Sequence, residues 1–194
     1  PAPPFFLRND IDSFSLVGEE IGVTEGARGR SVRSIDMDLD GDLDLLCVNA
    51  KGINASDSVQ HIFYKNTGKG KFERVRCANL ENADAERVLV TDLNNDFIDD
   101  LVLYSPISIW LGNGDFSYTE VTEKWLPTDI ETNDITAITD IDLDNDGDLD
   151  LYLSRGKTYY EMANKSLDFN PNTGRVDIRD QGNKAITSLE FEAE

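Results

Sequence analysis

The sequence predicts an all-β protein built from repeated four-stranded antiparallel units, and two observations support this fold class. A ten-residue acidic phrase occurs three times, starting at residues 36, 92 and 142. The starts lie 56 and then 50 residues apart, and a period of that length is typical of repeat proteins in which each repeat is one small structural unit. Short alternating apolar segments flank each phrase, as expected for half-buried strands.

The acidic phrases are named loop 1 (residues 36–44), loop 2 (92–100) and loop 3 (142–150). Loop 3 places carboxylates at its first, third, fifth and ninth positions and a glycine at its sixth, where a tight turn favours a positive φ angle. Carboxylates this close repel one another, so a hard divalent cation with oxygen ligands, calcium before magnesium, is the natural counter-charge. A solvated acidic turn is the alternative, and the regular spacing argues against it.

The length of loop 3 excludes the commonest calcium-binding loop. An EF-hand requires a glutamate at position twelve and a helix on each side. Position twelve counted from Asp142 is Leu153, which cannot bind a cation. The last acid comes at position nine and leads directly into an apolar alternating segment, so we expect the loop to join two strands.

The three loops differ in how well they keep the acidic pattern. Loop 1 matches loop 3 at every acidic position, whereas loop 2 has Asn94 at the third position and Phe97 where glycine is expected. We therefore predict a weaker or distorted site in loop 2. The candidate side-chain ligands are Asp36, Asp38, Asp40 and Asp44; Asp92, Asn94, Asp96 and Asp100; and Asp142, Asp144, Asp146 and Asp150, with the main-chain carbonyl of Asp148 as a further ligand in loop 3.

The strand predictions follow the loops in order. An inner strand precedes each loop and another follows it, and two outer strands joined by a glycine turn come next. The predicted inner strands are 31–35 and 45–48, 87–91 and 101–104, and 135–141 and 151–153; the outer strands are 61–65 and 72–76, and 108–111 and 116–121. Further strands are predicted at 5–9, 14–17, 175–179 and 186–191, with 18–29 as a connecting loop.

The acidic loop followed by Asn-x-Gly-x-Gly-x-Phe resembles the FG-GAP or VCBS repeat over roughly residues 31–170. This family includes the β-propeller of integrin α subunits. The resemblance implies one propeller blade per repeat, with calcium held between the first two strands and main-chain oxygens of Asp42, Ile98 and Asp148 completing the three sites. It implies a propeller segment with outer strands of a preceding blade at 1–30, blades at 31–80, 81–130 and 131–180, and the start of a further blade at 181–194.

Composition narrows the classes of partner. The net charge is −20, and the loops hold five, four and five of the 38 acidic residues, so much of the charge lies where a cation is expected. That charge argues against nucleic acid as a partner. No apolar run approaches the roughly 18 residues that a membrane-spanning helix needs. The start at Pro1, without a methionine, is expected of a mature, excised or truncated piece.

The cysteines and two glycosylation sequons give further expectations. Cys47 and Cys77 allow one disulfide, but strands separated by a third strand are usually too far apart to bridge, so a buried thiol is favoured for Cys47. Sequons at Asn54 and Asn164 are meaningful only in a secreted protein from a eukaryote.

Two functions remain open at this level. The first is a calcium-stabilised extracellular binding or adhesion module that recognises a protein or glycan through propeller loops, and that is not an enzyme. The alternative is the propeller part of a secreted polysaccharide lyase or hydrolase. Against the alternative, the sequence shows no Ser-His-Asp order, and His61 is the only histidine. Propellers need about four to eight blades, so we expect an incomplete ring. Further blades of a longer propeller are the favoured completion, and the alternatives are end strands that combine into a fourth blade or other chains that complete the ring.

Overall fold

The structure, a computed structural model, describes residues 4–26, 28–50 and 60–156, and beyond them the strands at 166–170, 175–179 and 185–190. The chain divides into two compact units, Pro1–Arg155 and Gly156–Glu194.

Two four-stranded antiparallel sheets form the centre of the first unit, and each follows the chain order from strand to strand. The first sheet contains β3 (Gly29–Ile35), β4 (Asp44–Asn49), β5 (Ile62–Asn66) and β6 (Phe72–Val75). The second contains β7 (Arg87–Thr91), β8 (Asp100–Tyr104), β9 (Ser108–Gly112) and β10 (Tyr118–Glu120). These sheets are blades 1 and 2.

Smaller elements flank these two blades. Strands β1 (Leu7–Asn9) and β2 (Phe14–Leu16) form an antiparallel pair before blade 1, and β11 (Ile135–Ile141) and β12 (Asp150–Arg155) form one after blade 2. In the described residues the helical elements are single turns: α1 (Gly18–Ile21), α2 (Thr122–Trp125) and a 3₁₀ turn at Leu80–Asn82. In the second unit, β13 (Ser166–Asn170), β14 (Arg175–Arg179) and β15 (Ala185–Glu190) form a three-stranded antiparallel sheet in that order.

The alternation of side chains along β8 explains how the sheets of the first unit stack. Leu101 and Leu103 are buried in a core shared with blade 1, whereas Val102 and Tyr104 are buried in a second core shared with β11 and β12. Successive side chains of a strand point to opposite faces, so both faces of blade 2 are covered by neighbouring sheets.

Blade 1 is covered in the same way. Leu46 and Val48 of β4 contribute to the core shared with blade 2, and Leu45 and Cys47 pack in a third core with the segment that contains α1. Strand β3 lies beside β7, and β7 lies beside β11. Sheets stacked face to face with their first strands adjacent form a partial β-propeller, and the described blades do not close a ring.

The predicted fold class is therefore confirmed, and the predicted strands lie within one or two residues of the observed bounds, whereas β13 was not predicted. One expectation was wrong: residues 18–29 contain the turn of helix α1, because Val17 and Ile21 are buried against blade 1 and fix that segment. The described strands of residues 131–180 belong to two sheets, and the assignment of this range to one blade stays a prediction.

Both cysteines are free thiols. Cys47 is half-buried on β4, and Cys77 is buried in the core between the two blades, where desolvation raises its pKa to about 11. The disulfide alternative is therefore excluded. The sequons at Asn54 and Asn164 lie outside the described residues.

We expect Leu101→Ala to lower the free energy of unfolding by about 2–5 kcal/mol, because it leaves a cavity between the blades. Leu101 is fully buried, whereas Leu143 is 73% exposed, so Leu143→Ala is the control and should change stability by less than about 0.5 kcal/mol. Urea denaturation of both variants measures the difference. Equal effects would contradict the placement of the core.

Candidate metal centres

The first acid of each loop organises the backbone of that loop. In loop 1, Asp36 Oδ1 accepts a hydrogen bond from the backbone N–H of Asp40 (3.1 Å), and Oδ2 accepts one from Gly41 (2.9 Å). Asp92 does the same in loop 2 and Asp142 in loop 3, with N···O distances of 2.9–3.2 Å. The three loops thus share one conformation, held by carboxylate-to-backbone hydrogen bonds.

The backbone has positive φ angles at the fourth and sixth positions of every loop. The fourth-position residues Leu39, Asn95 and Asn145 have φ near 60°. The sixth position is Gly41 in loop 1 and Gly147 in loop 3, with φ of 90° and 96°. Glycine adopts such angles without steric cost, which explains its presence there.

Phe97 takes the sixth position of loop 2 with φ 66°, and its N–H still bonds Asp92 Oδ2. Its side chain is 93% exposed. The backbone of loop 2 therefore keeps the shared conformation, and the expected distortion is not seen. A non-glycine residue there carries a strain of about 1–2 kcal/mol, and the weaker binding predicted for loop 2 stays a prediction.

The acids at the first, third and fifth positions converge in loops 1 and 3. Asp36, Asp38 and Asp40 each place a carboxylate oxygen within 4.8 Å of the other two, and so do Asp142, Asp144 and Asp146. Among the described residues, Asp38 Oδ1 is a buried atom with no hydrogen-bond partner. A buried carboxylate oxygen without a donor is costly unless a cation binds it.

In loop 2 the convergence is different, because Asn94 replaces the third acid. The amide of Asn94 accepts from the Asp96 backbone N–H (3.1 Å) and donates to Asp96 Oδ2 (2.9 Å). The amide nitrogen therefore faces a predicted ligand, which fits the expectation that loop 2 is the weaker site.

The ninth-position acids Asp44 and Asp100 have a different role from the converging three. Asp44 is fully buried, and its oxygens accept from the backbone N–H of Met37 (3.0 Å) and of Asn66 (2.7 Å). Asp100 accepts in the same way from Leu93 (2.9 Å) and Gly112 (2.8 Å). Each carboxylate thus joins the start of its loop to the third strand of its blade.

Burial raises the pKa of both carboxyls, because desolvation of Asp44 and Asp100 outweighs the hydrogen bonds that each receives. In loop 3, Asp150 is exposed and accepts a hydrogen bond from the Leu143 N–H (3.0 Å).

The close approach at Gly112 requires glycine, since a Cβ there would lie 2.5 Å from the Asp99 carbonyl oxygen. The sequence analysis missed this residue.

A family model of the FG-GAP-like repeat matches residues 36–103 and again 92–153, which together cover more than half of the chain. The chain belongs to the FG-GAP-like repeat family. Each match starts at the first acid of one loop, runs through the next loop and ends in the strand that follows that next loop. In general terms, these repeats form propeller-type binding and adhesion modules.

No curated protein matches the chain significantly. The helical elements in the described part of the chain are four residues long or shorter, and none could span a membrane.

Neighbouring FG-GAP-like repeats contact each other at their loops and at the strand residues beside them. The Asn95 amide of loop 2 donates to Asp148 Oδ1 of loop 3 (2.8 Å), and Thr91 Oγ1 donates to Asp140 Oδ2 (2.6 Å). From blade 2, the Phe116 N–H donates to the Met37 carbonyl of loop 1 (3.1 Å). Each loop therefore makes a hydrogen bond to an adjacent repeat.

Lys65 is a second residue that the sequence analysis missed. Its ammonium group lies against Asp38 Oδ2 and within 3.0 Å of Asp40 Oδ2. Lys65 directly precedes Asn66, whose N–H bonds Asp44 Oδ1 of loop 1. This place in the sequence was the signal available for predicting that Lys65 lies near loop 1. Ligand roles for Asp44, Asp100 and Asp150, and for the main-chain oxygens of Asp42, Ile98 and Asp148, stay predictions.

We expect Asp100→Ala to lower the free energy of unfolding in EDTA by about 2–4 kcal/mol, because it leaves two backbone N–H groups without their acceptor. Asp150→Ala is the matched control at the ninth position of loop 3, where the carboxylate is exposed, and should cost less than about 1 kcal/mol. Chemical denaturation without metal separates this structural role from any ligand role. A smaller loss for Asp100→Ala than for Asp150→Ala would contradict it.

Proposed function

We propose that this chain is a calcium-stabilised extracellular binding module that recognises a protein or glycan ligand through its propeller loops. The observation that carries the calcium assignment is the convergence of three carboxylates in loops 1 and 3, including the buried Asp38 oxygen without a donor. Oxygen-only donor sets suit calcium, which accepts six to eight such ligands.

In loop 1 the ion would be held by Asp36, Asp38 and Asp40, and in loop 3 by Asp142, Asp144 and Asp146. Loop 2 offers Asp92, Asn94 and Asp96. The ion supplies positive charge that cancels carboxylate repulsion. The protein's own hydrogen bonds already fix the loop backbone, so the ion stabilises an existing conformation.

An extracellular location fits this chemistry. Calcium-binding extracellular modules work with dissociation constants of about 0.1–1 mM, and calcium outside cells reaches that range. Loops that lie at one end of each blade are also suited to ligand binding, because loops on a rigid scaffold carry function in many folds.

We expect 5 mM calcium to raise the melting temperature by roughly 5–10 °C over EDTA, because a ligand that binds only the folded state stabilises it. Asp144→Ala should remove part of this increase, since Asp144 lies outside the hydrogen bonds that hold the loop 3 backbone. Asp129→Ala, which removes an exposed acid outside the loops, is the control. Differential scanning calorimetry at constant ionic strength measures both.

A melting temperature that is equal in calcium and EDTA would overturn the calcium proposal. If magnesium raises the melting temperature as much as calcium does, the sites would not be assigned to calcium.

Ligand recognition has its own test. The full chain, labelled and applied to a glycan array in 1 mM calcium, should be retained on specific glycans and released by EDTA. Incubation with acidic and neutral polysaccharides should generate no new reducing ends. Release of reducing ends that is lost on substitution outside the loops would instead identify a polysaccharide-degrading enzyme.

A further inference from the structure

Lys65 places a positive charge inside one of the three candidate cation sites. It is the fourth residue of β5, and its Nζ contacts the carboxylates of Asp38 and Asp40. These are the third- and fifth-position acids that converge with Asp36. The ammonium group therefore lies against two of the three carboxylates that a bound cation would meet.

The second repeat supplies an internal comparison. The Asn66 N–H bonds Asp44 Oδ1 and the Gly112 N–H bonds Asp100 Oδ1, so these two residues are equivalent. The residue before each is then Lys65 in blade 1 and Leu111 in blade 2. The chain thus contains one loop with a lysine beside it and one with an uncharged residue of comparable length at the same position.

Lysine cannot satisfy this site completely. Its single charged group contacts Asp38 Oδ2, yet Asp38 Oδ1 stays buried without a donor among the described residues. A calcium ion accepts several carboxylates at once, whereas the ammonium group offers three donors from one point. Both cations draw on the carboxylates of Asp38 and Asp40, so they compete for this site.

The ammonium group also lies near an aromatic ring of blade 2. Lys65 Nζ is 5.8 Å from the centroid of the Phe116 ring, which belongs to blade 2. A ring face attracts a cation at this distance, and the Lys65 side chain is 32% exposed. Because the side chain is partly exposed, the ammonium group can turn toward solvent when it leaves the carboxylates.

We propose that Lys65 is a resident counter-ion of loop 1 that calcium must displace, so that loop 1 fills at a higher calcium concentration than loop 3. This inference rests on the proposed function, because it requires that the loops bind calcium. It makes Lys65 a residue that sets the calcium affinity of one loop. Without calcium, Lys65 reduces the repulsion between Asp38 and Asp40.

Amide signals of the loops report each site separately. The N–H groups of Gly41 and Gly147 bond the first acid of loops 1 and 3, so their ¹H–¹⁵N signals should shift as each loop binds calcium. In the wild-type chain, the Gly41 midpoint should lie at a higher calcium concentration than the Gly147 midpoint. Equal midpoints, or a lower one for Gly41, would overturn the inference.

Lys65→Leu copies the residue of blade 2 and should lower the Gly41 midpoint by roughly threefold to tenfold, because a partly exposed charge is partly screened. The Gly147 midpoint should not change. Lys65→Arg keeps the charge and should leave the Gly41 midpoint near the wild-type value. A purely structural role for Lys65 predicts weaker calcium binding in Lys65→Leu, which is the opposite result.

Leu111→Lys is the reciprocal variant and does not depend on how Lys65→Leu folds. It should raise the calcium midpoint of the Phe97 amide in loop 2, and an unchanged or lower midpoint would count against the inference. If Gly147 responds to calcium but Lys65→Leu does not shift the Gly41 midpoint, the inference fails and the proposed function stands. If no loop amide responds to calcium, both fail.

Discussion

The carboxylates of Asp44 and Asp100 each accept two backbone hydrogen bonds, one from the start of a loop and one from the third strand of the same blade. These bonds tie a loop that carries four or five negative charges to its own sheet. Both carboxylates are fully buried, and burial raises their pKa. In blades 1 and 2 an acid is thus buried, despite the free energy that its desolvation requires, at the point where the loop, the inner strand and the outer strand meet.

This constraint explains why the apolar and the acidic parts of each repeat lie so close together in sequence. The strand that follows a ninth-position acid immediately contributes core residues to both of its faces, as Leu101 and Val102 show. The acidic loop is therefore anchored at one end of a well-packed sheet, and the converging carboxylates project from it. Hydrogen bonds such as that from Asn95 to Asp148 then join neighbouring loops. The carboxylates of each loop therefore repel one another while the loop is anchored to a packed sheet.

Much of this arrangement could be predicted because the acidic spacing and the alternation of apolar residues are local signals. They located the three loops, the inner strands and the acids Asp36, Asp38 and Asp40 that converge. What could not be predicted depends on contacts between residues far apart in sequence. Lys65 lies 25 residues from Asp40 in the sequence. The apolar residues that cover helix α1 belong to β4 and β5, which are also distant from it in the sequence. The distortion expected at Phe97 is not seen, because its backbone adopts the left-handed conformation and its N–H still bonds the Asp92 carboxylate, a contact that residue preference alone does not reveal.

The two-sided burial of β4 and β8 has a consequence for how such an array changes in length over evolution. Deleting part of a blade would expose the apolar faces of both neighbours, and those faces would then favour aggregation. Duplicating a whole repeat in tandem adds one new pair of faces that can cover each other, so the number of uncovered faces stays the same. Gain or loss of complete repeats is therefore the change that this architecture tolerates, and recombination breakpoints should fall in the connections between blades.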